Sequence, residues 1–535
     1  MNKKIKRIAV PLCCIAIAFA SCQKDEAPVP ENKTDFSEGP AGTEVILGKE
    51  IPNPYSLSYM RQALKELSEK SLSKSASDYQ IEANFLHVRF LPKDDAEFET
   101  LLSDTTIELF DRPMLCEVEQ EGDSYHDPSL PEDAITWQYT TVPVDYKFPN
   151  IKYEVLDSCF VPEDMDEELQ LSKKSSAFNP LDLTSIAFRL AGQEYEKEGL
   201  SKKRAVPSGQ FRVWDNYHNQ WTGIRGIKVI VYNGIRWDHT HTDVDGSYRM
   251  SKHYATKNIH YRIKFRTSDD IIINNLMFDI DAADEGLGWH SKSGYSRDFD
   301  TNSKVWMWAT VNNAVNIFKK ELCPHFKIAA PNVKLHIFAS KHSAKNWSGC
   351  TPMCRHMRIK LANWERFCVH FLGLQPMKIA ANLLGPDMMV FYNNSTRSVY
   401  STVFHEMGHV CHYKKVGKRY WQNYAQFVIT HTGYGEKSDS KSGYVGVGEM
   451  WGYYFGNYAC DTYYFGDRTN WNPSYYWFRP DINYGLQFQA GLQPYQILEC
   501  MTSHVTSHEL LKQALKKKYP SKLVVIENEF NNCGF

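Results

Sequence analysis

HEMGH, residues 405–409, decides how the second half of this chain folds. It follows an apolar segment, PDMMVFY at residues 386–392, and a polar turn, NNS at residues 393–395. The apolar spacing from Val399 to Tyr413 is typical of a helix. Side chains four residues apart lie on one helix face, ~6 Å apart, so the two histidines can face a common point. The sequence therefore predicts a strand, a turn and a helix that bears two paired imidazoles.

These residue types indicate a metal site. Two imidazoles and a third donor, each ~2.0–2.2 Å from the ion, are the usual ligands of Zn²⁺. Glu406 lies beside them, and as a general base it would take a proton from a water that the ion acidifies. The motif predicts one zinc ion per chain, with His405 and His409 as ligands and Glu406 as the catalytic base.

The third ligand has two candidates. His412 lies on the same helix face, but its Cα would be ~10.5 Å along the axis from His405, which is too far for one tetrahedral ion. We therefore expect it beside the site or on the surface. Glu449 is an acidic residue within the apolar run GVGEMWGYYFG, residues 446–456, and a buried carboxylate needs a partner. The alternative is that Glu449 only favours a helix N-terminus.

The glycines after Glu449 suggest how the apolar segment at residues 446–456 packs. Gly452 and Gly456 are one turn apart and lack side chains, so they could let this second helix pack close to the metal helix. This arrangement would bring Glu449 to the histidines.

The set His405, Glu406, His409 and Glu449 resembles the gluzincin branch of zinc metallopeptidases, to which thermolysin belongs. The resemblance covers roughly residues 300–500. It implies hydrolysis of peptide bonds in an α+β zincin-like domain.

The same resemblance implies two further features. Gluzincins carry a tyrosine or histidine that donates a hydrogen bond to the reacting oxyanion, and Tyr453 is the candidate, with Tyr484 and His504 as rivals. In zincins the strand before the metal helix forms the edge of the cleft, where an extended peptide adds by main-chain hydrogen bonds. Val390 to Tyr392 would be that edge.

The N-terminus predicts export. Residues 1–7 are basic, residues 8–18 are apolar, and FASC at residues 19–22 resembles a bacterial lipobox. Cleavage before Cys22 and lipidation of its thiol would tether the protein to a membrane; a plain secretory signal is the alternative. The acidic residues that follow resemble the surface-export signal of lipoproteins in Bacteroidetes-type bacteria. We expect an outer-membrane lipoprotein exposed at the cell surface.

The remaining chain predicts a multidomain protein. After a flexible tether at residues 23–53, we expect an α+β module at 54–205, a β-sandwich at 206–275 and a catalytic domain at 276–535. The sandwich resembles transthyretin-like domains found beside extracellular peptidases, and we interpret it as a spacer. A net charge of −2 gives no polyanion-binding bias, which disfavours nucleic acid as a partner.

Within these regions the pattern predicts particular elements: helices at 58–70, 95–103 and 305–322, the last amphipathic, and strands at 84–90, 107–110, 211–215, 227–232, 242–248 and 259–265. The module at 54–205 has two interpretations, a structural or docking module and a removable pro-domain. The first is favoured.

The cysteines give little further indication of function. There are 13 cysteines, and an envelope location would permit disulfides. Cys350, Cys354 and His356 only weakly suggest a second metal site, because a second ligand pair is missing.

Two functions follow. The first is a cell-surface zinc metallopeptidase acting on extracellular proteins or glycoproteins. The second is a non-catalytic binding or adhesion lipoprotein built on a zincin scaffold. The intact Glu406 favours the first, because a degenerate enzyme can lose its base without losing its fold.

Overall fold

A computed structural model of the chain defines the fold. No helix within the described ranges is long and apolar enough to cross a bilayer. The predicted lipobox at Cys22, the signal at 1–22 and most of the predicted tether lie outside the described residues. Those residues are 45–70, 80–120, 122, 125–131, 134–164, 179–193, 205–254, 256–275, 280–340, 348–358, 385–391, 394–431, 433–466 and 477–535.

The described chain mixes helices with several separate sheets, as expected of a multidomain α+β protein. In its N-terminal part β2 is the central strand of an antiparallel sheet with the order β4-β2-β5, and β1 pairs with β3. The elements of this part are β1 (Ile46–Glu50), α1 (Leu57–Lys70), β2 (Phe85–Leu91), α2 (Asp95–Leu102), β3 (Cys116–Gln120), β4 (Gln138–Pro143), β5 (Lys152–Cys159), a 3₁₀ turn (Pro162–Asp164) and α3 (Pro180–Leu190).

Two predictions for this part are wrong. The tether was expected to run to residue 53, but β1 pairs with β3 and the side chain of Val45 is buried, so the fold begins earlier. The strand expected at 107–110 is reduced to one bridge between Phe110 and Tyr139, although all four side chains are buried.

The middle part contains two four-stranded sheets. One has the order β10-β6-β14, with β7 also paired to β6, and the other has the order β13-β11-β8-β9. Buried side chains from both sheets belong to one core, as in a sandwich. The eight strands of these two sheets are β6 (Ser208–Asp215), β7 (Gln220–Gly223), β8 (Lys228–Asn233), β9 (Arg236–His241), β10 (Ser247–Arg249), β11 (Asn258–Lys264), β13 (Asp284–Ser291) and β14 (Arg297–Phe299), and β12 (Ile271–Asn274), which lies between β11 and β13 in sequence, belongs to a third sheet.

The chain crosses between this sandwich and a third sheet. β12 pairs in parallel with β15, whereas β13 and β14, which follow it in sequence, return to the two sandwich sheets. The boundary expected at residue 275 falls within this exchange, and residues 284–299 belong structurally to the sandwich.

The third sheet has the order β12-β15-β17-β16, in which only β16 is antiparallel. Helices dominate the rest of the chain. The elements are α4 (Lys304–Ile317) with a π-helical turn (Phe318–Leu322), α5 (Cys323–His325), β15 (Leu335–Ser340), β16 (Gly349–Cys350), α6 (Cys354–Met357), β17 (Met388–Phe391), α7 (Thr396–Val416), α8 (Lys418–Thr430), α9 (Ser442–Ala459) with a second π-helical turn (Cys460–Phe465), α10 (Asp481–Phe488), α11 (Pro494–Cys500), α12 (His508–Lys518), a 3₁₀ turn (Pro520–Lys522) and α13 (Leu523–Asn532).

The helix predicted at 305–322 exists but is not amphipathic. Every side chain of α4 from Val305 to Ile317 is buried. Its asparagines bind the sandwich: Asn312 Nδ2 donates to the carbonyl of Arg225 (2.7 Å), and Asn313 Nδ2 to that of Gly223 (2.8 Å). The polar residues therefore reflect contact with a neighbouring layer and not with solvent.

The N-terminal part is held on the sandwich by buried ion pairs. Glu108 is buried and lies 2.9 Å from the ammonium of Lys228. Arg236, also buried, lies 2.6 Å from Asp164, which also pairs with Lys252. Separating the two parts would expose or unpair these charges, which is costly.

Candidate metal centre

The helix that bears His405 and His409 is α7, called the metal helix below after its candidate ligands, and its start is defined by two capping residues. Ser395 Oγ accepts a hydrogen bond from the backbone N–H of Ser398. Asn216, in the hairpin between β6 and β7, binds both the N–H and the hydroxyl of Thr396. Two turns later the helix presents its histidines, and it ends at Gly417, whose φ of 83° suits glycine.

Three donor groups converge between α7 and α9. The Nε2 atoms of His405 and His409 are 3.0 Å apart. They lie 3.5 Å and 3.4 Å from the two carboxylate oxygens of Glu449. Ligand atoms ~2.0–2.1 Å from a tetrahedral zinc are separated by about 3.3 Å, so these spacings match three corners of such a site.

Glu449 lies in the middle of α9 and not at its start, so the alternative that it serves a helix N-terminus is wrong. Its side chain is fully buried. Burial alone would raise its pKa, but the imidazoles of His409 and His405 outweigh burial and lower it. The carboxylate is therefore held ionised at the point where the imidazoles meet.

The glycines bring α9 against α7. A Cβ on Gly456 would lie 2.5 Å from His405 Cα, and one on Gly452 would lie 2.7 Å from His409 Cε1. Trp451 adds a hydrogen bond of 3.0 Å from its indole N–H to the carbonyl of Gly408. The prediction that Gly452 and Gly456 permit close packing is confirmed.

Glu406 is buried beside the three donors. Together with the two histidines it forms a group whose candidate ligand atoms lie within 4.8 Å of one another. Burial raises the pKa of Glu406 to about 7, against the opposing effect of His405. Thr351 Oγ1 donates a 2.7 Å hydrogen bond to Glu406 Oε2, which orients the carboxyl group. Such a group can accept and release a proton near neutral pH.

Tyr424 was not predicted from the sequence. Its hydroxyl donates a hydrogen bond to Glu449 Oε1, and its ring stacks on Trp421 with centroids 4.5 Å apart. Its position in α8 carries no motif, and it is one of 31 tyrosines. The only sequence signal was that α8 follows the metal helix after a single glycine.

None of the three oxyanion candidates predicted from the sequence lines the cavity beside the donor groups. Tyr453 packs its ring on His405, with centroids 4.5 Å apart, but does not line the cavity beside the donors. Tyr484 donates to the carbonyl of Tyr454, and His504 is exposed in a turn. Tyr424, in contrast to Tyr453 and Tyr484, lines that cavity.

His412 is buried and not at the surface. Neither ring nitrogen has a hydrogen-bond partner within the described part of the chain. Burial lowers the pKa of His412 to about 3, so the ring is neutral. It packs against Tyr420 and Trp421 and is not one of the three converging donors.

The edge of the cleft differs from the expected one. β17 has neighbours on both sides, β15 and β16, so Val390 is interior and the expected edge is wrong; Tyr392 lies outside the described residues. The strand at this end of the described sheet is the two-residue β16. It leads directly into Thr351 and the cavity.

The cavity has a volume of about 470 Å³, including its open mouth. Glu406, His409 and Glu449 line it on the side of the donors. Tyr424 lines it from α8, and Cys350 from β16. The donor groups are therefore accessible from this cavity.

No second metal group forms at Cys350, Cys354 and His356 among the residues that the structure covers. His356 Nε2 instead lies 2.7 Å from the carbonyl oxygen of Lys334. The cysteines in the described ranges carry free thiols.

No protein-family model matches the chain, and neither a curated protein nor a solved structure matches it. Its function must therefore be inferred from the residues and their geometry.

Proposed function

We propose that the protein is a zinc-dependent metallopeptidase of gluzincin type that hydrolyses peptide bonds of extracellular proteins or glycoproteins. The observation that supports it most is the convergence of His405, His409 and Glu449 beside a buried Glu406. In such an enzyme the first three would hold the zinc ion and Glu406 would act as the base. The surrounding fold would be a zincin-like domain joined to a transthyretin-like sandwich.

The donor set suits zinc. The Oε2 atom of Glu449 has no hydrogen-bond partner within the described chain, although it is buried and faces His405. A buried, ionised oxygen opposite two imidazole nitrogens is strongly favoured only if a cation satisfies it. When bound there, Zn²⁺ would acidify a water and polarise the substrate carbonyl.

The side chains of the protein then transfer the proton and hold the reacting groups in position. Glu406 takes a proton from the attacking water and passes it to the nitrogen of the leaving amine as the C–N bond breaks. Thr351 holds one oxygen of Glu406, which keeps the other free for transfer. Tyr424 holds one oxygen of Glu449 and thereby fixes the third ligand.

The alternative is a binding or adhesion lipoprotein that has lost turnover. The base is present, buried and hydrogen-bonded, and a cavity opens beside it, which favours catalysis. The proposed place of action is the cell surface, with the protein tethered by a lipid on Cys22. Protein substrates, and no nucleic acid, are the proposed partners.

The experiment uses purified protein lacking residues 1–22. Metal analysis should give about one zinc per chain, and the protein should cleave a denatured protein or a mucin mixture. Glu406→Gln should keep the zinc and lose the cleavage, because the imidazole and carboxylate ligands are untouched. Undiminished cleavage by Glu406→Gln, or a wild-type chain that takes up no zinc, would refute the proposal.

A further inference from the structure

The turn between β6 and β7 contacts both helices that carry the candidate zinc ligands. Asn216 binds the start of α7, and Asp215 and His218 bind the π-helical turn that follows α9. We propose that these three are positioning residues for the candidate zinc site, because they fix the end of α9 relative to α7. This inference rests on the proposed function and adds residues that lie outside the cavity.

The contact with α7 consists of four hydrogen bonds. Asn216 Oδ1 accepts from the backbone N–H and from the hydroxyl of Thr396, and the Thr396 hydroxyl accepts from the backbone N–H of Asn216 (3.1 Å). Asn216 Nδ2 donates to the carbonyl of Asn394. Thr396 is buried, so a group that lost its partner here would be costly. The first turn of α7 is therefore fixed to the sandwich.

The contact with the end of α9 is made by Tyr464. Its hydroxyl donates a 2.5 Å hydrogen bond to Asp215 Oδ2. His218 bridges the same two residues, since its Nδ1 lies 2.8 Å from Asp215 Oδ2 and its Nε2 lies 3.1 Å from the carbonyl oxygen of Tyr464. A carbonyl oxygen only accepts, so His218 Nε2 carries the hydrogen in that bond. The side chain and the backbone of Tyr464 are thus both held by the sandwich.

The turn is held in place by hydrogen bonds of its own. The Asp215 side chain is buried, and its Oδ1 accepts from the backbone N–H groups of Tyr217 and His218 at 3.0 and 3.1 Å. The residue before the turn is fixed by α4, because Trp306 Nε1 donates a 2.8 Å hydrogen bond to the carbonyl of Trp214. A turn held in this way resists movement of the helices that it contacts.

Tyr464 also contacts α7 directly. Its ring stacks on that of Tyr400, with centroids 4.1 Å apart and planes 24° apart. Tyr400 is buried and lies on α7 between Thr396 and His405. The contacts therefore form a closed circuit that runs from the turn through α7 and Tyr464 back to the turn. Neither helix can shift in this circuit without breaking a hydrogen bond or a stacked pair.

The circuit lies at one end of the contact between α7 and α9. Gly456, about two helical turns before Tyr464, lies against His405, and Glu449 lies about two turns earlier on α9. A metal site needs its ligands held to within about 0.5 Å. Packed rigid helices carry a displacement along their length. The spacing between His405 and Glu449 should therefore depend on residues several turns away.

Tyr464→Phe removes the hydrogen bond to Asp215 and keeps the ring that stacks on Tyr400. The zinc affinity of protein lacking residues 1–22, measured by competition with a chromophoric chelator, should fall about 2- to 30-fold, the range for changes along a contact network. Tyr463→Phe is the matched control, because Tyr463 lies in the same π-helical turn with its ring exposed, and its affinity should equal that of the wild type. Wild-type affinity in Tyr464→Phe, or equal losses in both variants, would overturn the inference.

Asp215→Asn tests the other end of the same bond. The amide keeps an acceptor for the backbone N–H groups but replaces Oδ2 by a donor, so it cannot accept from the Tyr464 hydroxyl. The double variant, Asp215→Asn with Tyr464→Phe, should lose no more zinc affinity than Asp215→Asn alone, since both changes break one bond. Strictly additive losses would show that the two residues act separately, which overturns the circuit.

A contact that only stabilises the fold would behave differently. It would lower the denaturation temperature of the zinc-free and the zinc-loaded protein equally. A positioning contact should lower that of the zinc-loaded protein more, because stabilisation by a bound ion follows from its affinity. Equal decreases in Tyr464→Phe would contradict the inference. A wild-type chain that binds no zinc overturns the inference and the proposed function together, whereas a chain that binds zinc and cleaves no peptide bond overturns only the peptidase function.

Discussion

The side-chain oxygen of Asn216 accepts two hydrogen bonds of 2.9 Å from Thr396, one from its backbone N–H and one from its hydroxyl. Asn216 belongs to the sandwich and Thr396 is the first residue of the metal helix. A helix start needs partners for its free N–H groups, and here one partner comes from another layer of the protein. The sandwich is therefore a brace for the metal helix and more than the spacer expected from the sequence.

Asn216→Ala should destabilise the protein by about 1 kcal/mol, the usual value of a lost helix cap. The free energy of unfolding in urea is the measurement, because it does not depend on activity. Asn219→Ala, in the same hairpin, serves as the control, although its φ of 51° adds a small cost of its own. If Asn216→Ala and wild type unfold at the same urea concentration, the cap contributes nothing.

Thr351→Val removes the hydroxyl that holds Glu406 and preserves the side-chain volume. We expect kcat to fall roughly 10- to 100-fold, because a hydrogen bond to an ionisable group contributes about 1.5–3 kcal/mol. The zinc content should not change, since Thr351 is not among the converging donors. Thr351→Ser retains the hydroxyl and should recover most of the rate. Equal rates for Thr351→Val and wild type would show that this contact does not orient the base.

Tyr424→Phe removes the hydrogen bond to Glu449 and leaves the ring stacked on Trp421. Zinc affinity should drop about 10- to 100-fold, as it does when a group that orients a metal ligand is lost. Competition with a chromophoric chelator measures the affinity directly.

Tyr420→Phe is the control for this prediction. Tyr420 lies on the same helix, but its hydroxyl donates to the carbonyl of Tyr444, away from Glu449. Its zinc affinity should equal that of the wild type. Identical losses in both variants would mean that the effect comes from α8 in general and not from the contact with Glu449.

Gly456→Ala places a methyl group 2.5 Å from His405 Cα, so α7 and α9 must move apart. Overpacking of this kind costs about 1–3 kcal/mol, and the shift carries Glu449 away from the imidazoles. Thermal unfolding and zinc content should both fall. Asn457→Ala, the next position on α9, is only partly buried and should change neither. Normal zinc binding by Gly456→Ala would contradict the proposed close packing.

Stability should decrease below neutral pH because of buried histidines. Burial lowers the pKa of His87 to about 4 and that of His260 to about 3. Unfolded histidine titrates near 6.5, so between these values the unfolded state binds more protons and stability is lost as pH falls. The loss should approach about 1.4 kcal/mol per pH unit for each histidine.

Denaturant unfolding at about pH 6.5, 6.0, 5.5 and 5.0, the range in which only unfolded histidine takes up protons, measures this slope. His87→Leu removes one titrating group. The free energy of unfolding of this variant should therefore fall less steeply with decreasing pH than that of the wild type, and the difference should equal the contribution of one histidine. Parallel slopes for the two proteins would show that His87 is not held neutral by the fold.

Local geometry explains what could be predicted from the sequence. The spacing of His405 and His409 determines their relative position on any helix, and an acidic residue in an apolar run such as Glu449 needs a buried partner. Gly452 and Gly456 indicate close packing because they repeat after one helical turn and carry no side chain. These inferences needed only the periodicity of a helix.

Other features depended on contacts between distant parts of the chain. Tyr424 reaches Glu449 only because α8 folds back on α9, and no spacing in the sequence encodes that turn. The edge strand β16 is two residues long, too short to produce an alternating pattern. Similarly, the buried asparagines of α4 suggested a solvent-facing side, but they bind the sandwich.

The route of the chain through β12, β13 and β14 has an evolutionary consequence. Because the polypeptide visits the third sheet and then returns to complete the sandwich, no recombination event with a single breakpoint could separate the two layers and leave both intact. The two layers would have to be inherited as one unit, and homologous proteins should contain both or neither.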